Sequence, residues 1–454
     1  MESYSIIANF ICILSFIKNR VLFNSFTRAP QEHLLFANSF RYNRHMKQLR
    51  SANLSLLLAL VAMLLLGGCQ SPVKQTPTPE SSPPMATVQP EIVALPKTDE
   101  FAILFVNVGR ADAAILRFGE TCVLIDTGAD DSVPQLIAGL NLLNISRIDA
   151  VFLTHSHADH TGGLNALAAN YDIPMVYSPL FSEQNKDGVG KIVKLCDKLG
   201  LNQTELITGQ TVPITDSVSF AVLGPLEYNE DDDNDNSLIL RFTYKETSFL
   251  FVGDAQFSEE QTLLEFGANL NSNVLKVGNH GNPDATGEDF ARAVSPAFAV
   301  ISTNTEADQD SANERVLAAL APASVSITQD FPLGVLLTLD ESGKPVITNP
   351  SRPVFTSPAA ISSIDADRQT VTISNPSGEM IDLSGCVLTC DRSGAALRFP
   401  EGTLLAAGTL LTVSGSKGGG TIVFSSEDKP LSTKKQNTVT LYSPYGETLS
   451  TRRD

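Results

Sequence analysis

Residues 154–163 read Thr154-His155-Ser156-His157-Ala158-Asp159-His160-Thr161-Gly162-Gly163. They place three imidazoles and one carboxylate directly after the apolar run Ala150-Val151-Phe152-Leu153. Imidazole and carboxylate groups at this spacing are typical metal ligands. His155 and His157 are two apart on a loop, so both rings can face one metal ion, while Asp159 and His160 are turned towards a second position. The stretch therefore predicts a metal site at the end of a strand.

Two later strands end in the same residue types. Phe249-Leu250-Phe251-Val252-Gly253-Asp254 ends in a carboxylate that is well placed to bridge two ions, and the apolar residues from Val274 lead to His280. Beyond residue 45, every histidine of the chain lies either in the stretch 154–163 or at position 280. We therefore expect Asp254 and His280 to complete the ligand set.

Residues 99–348 alternate short apolar stretches with helical patterns. We expect strands over 101–108, 113–118, 121–125 and 149–153, and a helix over 133–143. Asp126-Thr127-Gly128 reads as a turn between a strand and this helix. The order predicts mixed α/β layers in which the strands lead into a site at their ends.

These segments resemble the metallo-β-lactamase fold, most closely the ComEC-like branch found in the extracellular domain of the competence protein ComEC. The matching pieces are residues 108–114, 124–128, 155–163, 236–240, 252–254 and 275–281. The resemblance implies a four-layer αβ/βα sandwich with two divalent metal ions, Zn or Mn, at one edge of the sheets. It implies that one ion is held by His155 and His157, that the other is held by Asp159, His160 and His280, and that Asp254 bridges them. It also implies that Asp112 and Asp126 support the ligands from behind.

The chain departs from the family pattern at two expected histidines, and Asn282-Pro283 follows Gly281 where the family favours Ser. The wider fold has another histidine between the first motif and the bridging carboxylate, whereas residues 161–253 contain none. Family members usually have two histidines before Gly281, but the first of these positions is Asn279. A site with a single metal ion or with weak activity is therefore an open alternative.

We expect the site to catalyse hydrolysis through a metal-activated water, with Asp159 and Asp254 as catalytic carboxylates. The resemblance to the ComEC-like branch favours a phosphodiester or DNA as the substrate. Lys276 and Arg110 are candidate phosphate contacts, although an ordinary surface charge is the favoured interpretation of each. Two alternatives stay open. One is hydrolysis of a thioester, lactone or β-lactam, and the other is a non-catalytic surface-binding lipoprotein with a degenerate site.

The charge of the chain limits its partners. The formal net charge is −18 and residues 1–50 are basic, so the remainder is strongly acidic. An acidic body argues against broad affinity for phosphate backbones, but bound divalent cations can reverse the local sign. The acidic run at 230–235 fits no EF-hand spacing and reads as a solvated loop.

The amino-terminal region has the pattern of an export signal. Residues 46–69 combine a short basic region, an apolar segment and Gly67-Gly68-Cys69. This pattern predicts a signal peptide and resembles a bacterial lipobox, in which Cys69 becomes lipid-modified. A plain transmembrane anchor is the alternative, but the segment is short for a span of about 20 residues. We expect residues 1–45 to be a leader or a start assigned too early.

Residues 70–98 are rich in Pro, Ser and Thr and predict a disordered linker. With the lipidated cysteine before it, this linker predicts a lipid-anchored protein on the extracellular face of the cytoplasmic membrane.

The last part of the chain predicts a second folded domain. Residues 349–357 read as a linker, and residues 358–454 contain short alternating stretches separated by turns, which predict a small β-sandwich. The segments 371–376, 381–388, 399–403 and 439–446 resemble the lamin-tail domain, an immunoglobulin-like module. Such modules bind or position other molecules, so an unidentified ligand of this domain is expected.

Overall fold

The computed structural model describes residues 100–186, 188–416, 418–423 and 429–454. The predicted leader at 1–45, the signal peptide at 46–69 with Cys69, and the linker at 70–98 lie outside the described residues. Among the helices of the described part, none has the length and hydrophobicity that crossing a membrane requires.

The described residues up to 348 form two large sheets with helices around them. In chain order the strands are β1 (Phe101–Val106), β2 (Ala114–Phe118), β3 (Thr121–Ile125), β4 (Ala150–Phe152), β5 (Val176–Pro179), β6 (Gln203–Leu206), β7 (Thr211–Pro213), β8 (Ser219–Gly224), β9 (Ile239–Tyr244), β10 (Thr247–Phe251), β11 (Val274–Lys276), β12 (Phe298–Ile301), β13 (Ser324–Ile327), β14 (Gly334–Leu339) and β15 (Pro345–Thr348). The helices are α1 (Val133–Leu142), α2 (Ala158–Thr161), α3 (Leu164–Asn170), α4 (Lys191–Leu199), α5 (Phe257–Phe266), α6 (Glu288–Val294) and α7 (Glu314–Ala319). Short 3₁₀ turns occupy Asp130–Ser132, Asp233–Asn236, Asn279–Gly281 and Thr328–Asp330.

Both sheets mix parallel and antiparallel strands. The first has the order β15-β14-β1-β2-β3-β4-β5-β6, and the second has the order β13-β12-β11-β10-β9-β8-β7. In the first sheet the strands from β3 to β6 are parallel neighbours. In the second, the strands from β10 to β13 are parallel neighbours. Parallel strands need crossover connections, and the helices supply most of them.

The two sheets pack face to face through an aromatic core. Because side chains alternate along a strand, Ile103 and Phe105 of β1 face the second sheet, while Leu104 faces the helices. At the centre of the interface Phe242 stacks on Phe220 and on Phe249, with ring centroids 4.6 and 4.7 Å apart. Such aromatic pairs contribute about 0.5–1.5 kcal/mol each beyond the area that they bury.

Helices cover the outer face of each sheet. The buried residues of α1, α3 and α4 pack on the first sheet, and those of α5, α6 and α7 pack on the second. The order of layers is therefore helices, sheet, sheet, helices, and the predicted α/β sandwich with mixed sheets is confirmed. The predicted strand at 121–125 lies at those residues, and the other predicted elements differ by one or two residues at their ends.

The region after Thr348 is rich in β-strands. Its strands are β16 (Ala360–Asp365), β17 (Thr370–Ser374), β18 (Ile381–Asp382), β19 (Val387–Cys390), β20 (Ala395–Arg398), β21 (Leu404–Leu405), β22 (Leu410–Ser414), β23 (Ile422–Val423), β24 (Thr438–Tyr442) and β25 (Thr448–Arg453). They form two four-stranded sheets and one two-stranded sheet around a core of their own. We call this region the C-terminal β domain; its assignment as an immunoglobulin-like lamin-tail domain stays a prediction.

Candidate metal centre

The predicted ligands lie at the carboxyl ends of parallel strands from both sheets. In the first sheet β3 and β4 are parallel, and Asp126 and the loop from Thr154 follow them. In the second sheet β10 and β11 are parallel, and Asp254 and His280 follow them. Carboxyl ends of parallel strands meet at one edge of a sheet. The fold therefore brings residues about a hundred positions apart into contact, as the loop and strand positions predicted.

His160 is held in one orientation from behind. Its Nδ1–H donates to Oδ2 of Asp126 at 2.8 Å, and Asp126 also accepts from the N–H and the hydroxyl of Thr154, each at 2.8 Å. This leaves Nε2 of His160 pointing at Asp254, with 3.1 Å to its Oδ2. A histidine whose Nδ1–H is bound by a carboxylate presents Nε2 as a ligand, which is the usual arrangement behind a protein-bound metal.

His280 is oriented in the same way, but by a different hydrogen-bond partner. Its Nδ1–H donates to the carbonyl oxygen of Ser302 at 2.9 Å. Its Nε2 lies 3.2 Å from Oδ2 of Asp254 and 3.5 Å from Oδ2 of Asp159, yet it is buried without a hydrogen bond. The backbone of His280 is in the left-handed region, with φ of 54°. Residues other than glycine adopt this conformation uncommonly, so the turn that carries His280 stores backbone strain.

His155 and His157 lie next to each other as the sequence predicts. Nε2 of His155 is 3.0 Å from Nδ1 of His157. Nitrogen ligands of one tetrahedral zinc ion are separated by about 3.3 Å, given bonds of about 2.0 Å. His155 is fully buried, whereas His157 is half-buried and also lies in a group with Glu183 and Asp233. His157 thus faces both the centre and an acidic pocket beside it.

The charges of the centre shift the pKa values of its own histidines. Burial by itself lowers the pKa of His280, but Asp254 outweighs it and the pKa rises to about 10. Burial also opposes protonation of His160, yet Asp254 and Asp126 raise its pKa well above the ordinary value. Burial and the nearby His160 lower the pKa of His155 to about 3. Without a metal ion, His160 and His280 are therefore protonated at neutral pH and His155 is neutral.

The donor set fits divalent cations. Ligand atoms of His155, His160 and Asp254 lie within 4.8 Å of one another, and so do those of Asp159, His160 and His280. Oδ1 of Asp254 and Nε2 of His280 are buried with no hydrogen-bond partner, although buried polar atoms are nearly always satisfied. The two groups of residues share His160 and lie around Asp254. Their nitrogen and oxygen atoms are the kinds of ligand that Zn or Mn prefers.

Asp112 and Lys276 form a buried ion pair beneath the centre. Nζ of Lys276 lies 2.6 Å from Oδ2 of Asp112, and only 5% of the lysine side chain is exposed. Oδ1 of Asp112 is 3.8 Å from Nδ1 of His280 and has no hydrogen bond. The favoured interpretation of Lys276 as a surface charge is therefore wrong. A charge this deep persists only when it is paired.

The acidic run at 230–235 is only partly solvated, so its interpretation as a solvated loop is wrong at its carboxyl end. Asp233 is buried and accepts from the N–H and hydroxyl of Ser156 at 2.9 and 2.7 Å, which fastens the histidine loop. Asp235 accepts from the N–H of Gln256 at 2.9 Å, just before α5. Sequence reasoning missed both. The acidic run was visible, but its pairing with residues more than twenty positions away was not.

Two further side chains and an acidic pocket lie around the centre. Asn279 donates to Oδ1 of Asp284 at 2.9 Å, so the residue at the position of the expected histidine is engaged elsewhere. Arg110, half exposed, donates from Nε to Asp308 at 2.9 Å. On the side of His157, a pocket is lined by Glu183, Tyr228, Asn229, Glu230, Asp231, Asp232, Asp233 and Asn236.

Two close approaches explain the glycines of the ligand loops. A side chain at Gly163 would place its Cβ 2.2 Å from the carbonyl oxygen of Thr127. Gly253 has φ of 53°, and its Cβ would meet Ser237 and Thr154 within 3 Å. Only glycine fits either place.

Residues 106–305 match the family model described as the metallo-beta-lactamase superfamily. These residues belong to a metallo-β-lactamase domain. Curated relatives include ComE operon protein 3 of Bacillus subtilis (strain 168), 29% identical over 258 residues that cover 53% of this chain and 33% of the relative. Competence protein ComA of Neisseria gonorrhoeae is 28% identical over 212 residues, which cover 45% of this chain and 27% of the relative. The chain thus spans a third or less of the length of these relatives.

Among solved structures, a match is found to the metallo-beta-lactamase fold protein YhfI from Bacillus subtilis. It is 13% identical, covers 52% of this chain and 99% of its own, and superposes with a TM-score of 0.38. The matched residues 106–305 lie within the metallo-β-lactamase domain that the sequence predicts at 99–348.

Proposed function

We propose that this chain is a metal-dependent hydrolase, and most directly a phosphodiesterase or nuclease. The observation that carries the proposal is the pair of buried histidines, His160 and His280, whose Nδ1 atoms are engaged from behind and whose Nε2 atoms both face Asp254. When bound there, divalent cations supply an activated water and neutralise charge on the substrate.

The roles of the chain's own residues follow from their positions. We assign metal ligation to His155, His157, Asp159, His160, Asp254 and His280. The side chain of Asp159 is about a quarter exposed, and the charges around it hold its pKa below the ordinary value despite burial, so it stays ionised at the mouth. An ionised carboxylate in this position can accept a proton from the attacking water. Asp126 orients His160, and Asp112 forms the ion pair with Lys276 beneath the centre.

A phosphodiester substrate is supported by two observations. Arg110 is half exposed, and its pKa is raised mainly by its hydrogen bond to Asp308 and further by the charges of Asp159 and Asp254, so it offers a cation to an anion at the centre. The similarity to a protein named competence protein ComA, together with the resemblance to the ComEC-like branch, favours DNA as the polymer. We extend the proposal to location: lipidation at Cys69 would hold the enzyme on the extracellular face of the cytoplasmic membrane.

The test is hydrolysis of bis(p-nitrophenyl) phosphate and of DNA by the full chain loaded with Zn or Mn. We expect turnover that is lost in His280→Ala, with two ions per chain in protein purified without chelator. Metal-loaded protein that is inactive on every phosphodiester would sink the proposal. For the location, Cys69→Ala should release the protein from membranes, and an unchanged membrane fraction would contradict the anchor.

One observation favours a second candidate. The pocket beside His157 is lined mainly by carboxylates, and such a surface repels a polyanion. A neutral thioester, lactone or β-lactam would enter without this repulsion. A panel of phosphodiester, thioester, lactone and β-lactam substrates separates the two candidates. Only the phosphodiesters, or only one of the neutral substrates, should be hydrolysed.

A further inference from the structure

The C-terminal β domain is packed against the metallo-β-lactamase domain rather than separated from it. Val387 of β19 and Ala396 of β20 are buried and belong to the same apolar cluster as the inner faces of α1 and α3. Tyr442 of β24 packs against that cluster as well. The apolar core that supports the first sheet is therefore completed by the C-terminal β domain.

Two asparagines tie the domains together by hydrogen bonds. Asn141, on α1, donates from Nδ2 to the carbonyl oxygens of Gly385 and Pro444 at 3.1 and 2.8 Å, and its Oδ1 accepts from Nε of Arg398 at 3.0 Å. Asn170, the last residue of α3, accepts from the backbone N–H of Arg398 at 2.6 Å and donates to Ala396 at 2.9 Å. Arg398 thus joins both helices.

These two helices are the direct continuations of the ligand loops. The chain passes from Asp126 through a 3₁₀ turn into α1, and from the histidine loop through α2 into α3. The two loops are also hydrogen-bonded to each other through their backbones. The N–H of Thr127 donates to the carbonyl oxygen of His160 at 2.7 Å, and the N–H of Gly163 donates to the carbonyl oxygen of Gly128 at 3.1 Å. A shift of either helix is therefore passed to the loop before it.

We propose that the C-terminal β domain is a clamp that positions the metal centre, and that Asn141 and Asn170 are its positioning residues. By holding α1 and α3 at a fixed separation, the clamp keeps the carboxylate of Asp126 in line with His160. The inference goes beyond the proposed hydrolysis and does not depend on which bond the enzyme cleaves.

The test compares Asn141→Ala, Asn170→Ala and their combination in the full chain. We expect the dissociation constants for Zn and Mn, measured by chelator competition, to rise by about three- to tenfold. We also expect faster amide hydrogen exchange over residues 155–163 in metal-free protein, which tests the clamp without any metal. The matched control is Asn165→Ala on the same helix; among the described residues no hydrogen bond to the C-terminal β domain is made by Asn165, so it should change neither quantity.

Two results would overturn the clamp. One is a lower melting temperature with unchanged metal affinity and unchanged exchange over residues 155–163, which means that the interface is only a point of attachment. The other is no change in any of the three quantities. If the double variant does not fold, the single variants decide, because each leaves the other asparagine in place.

Discussion

Oδ2 of Asp126 lies 2.8 Å from Nδ1 of His160, and both side chains are almost completely buried. An amide in place of this carboxylate can present its NH₂ to the ring and favour the wrong tautomer. We expect Asp126→Asn to weaken metal binding by about 10- to 100-fold. Chelator competition measures it, with the exposed Asp131→Asn as the control. Equal affinity in both variants would show that the bond does not orient the ring.

Metal binding should be coupled to proton release. His280, with a pKa of about 10, and His160, with a raised pKa, must lose their protons before their nitrogens can bind a cation. The apparent affinity for Zn should therefore increase with pH, by roughly tenfold per pH unit for each proton released. Calorimetry in buffers of different ionisation enthalpy counts these protons. Affinity that stays constant between about pH 6 and 8 contradicts the prediction.

Lys276→Met should make the fold depend on metal. The variant leaves the carboxylate of Asp112 buried without its 2.6 Å partner, which costs about 3–5 kcal/mol. A divalent cation nearby offsets part of that charge, so added Zn should raise the melting temperature more in the variant than in the parent. Thermal unfolding with and without Zn measures both values. Lys276→Met combined with Asp112→Asn removes both charges and should recover most of the loss; no recovery would mean that packing, not charge, is responsible.

Glu259 should make the unfolding free energy of the protein depend on pH. Burial raises its pKa from 4.5 to about 8, so the folded state holds its proton more tightly than the unfolded state. Its contribution to stability is full below pH 4.5 and is lost as the pH rises through about 8. Glu259→Gln stays neutral and can still accept from Leu226.

Between about pH 5 and pH 8, the unfolding free energy of Glu259→Gln should therefore increase relative to the parent by about 1–3 kcal/mol. Urea unfolding at both pH values measures the difference. The exposed Glu265→Gln on the same helix is the control and should follow the parent. A parallel pH dependence of Glu259→Gln and parent would exclude Glu259 as the cause.

Arg110 should contribute to substrate binding more than to chemistry. Half of its side chain is exposed, and Asp308 holds it in place. Arg110→Ala is expected to raise KM for bis(p-nitrophenyl) phosphate by about three- to tenfold with little change in kcat. The exposed Arg292→Ala should leave both constants unchanged. A fall in kcat at constant KM would instead place the guanidinium against the transition state.

Several parts of the fold and the centre could be predicted because they depend on neighbours in the chain. The continuous apolar run at 122–125 located β3 at 121–125. The motif from His155 to His160 carries its ligands within one loop, and Asp254 and His280 end strands whose apolar runs are visible in the sequence. Because the carboxyl ends of parallel strands meet at one edge of a sheet, the fold brings these residues together.

Other features were decided only by the tertiary structure, because each depends on a partner far away in the chain. Lys276 reads as a surface lysine until Asp112, 164 positions earlier, is placed beside it. Asp233 reads as part of a solvated loop until it meets Ser156. Whether a charge can be buried depends on its pairing, and composition does not record which residues pair. The sequence by itself predicted a candidate metal site at the ends of these strands; the packing of distant residues decided which charges are buried there and how the histidine loop is fastened.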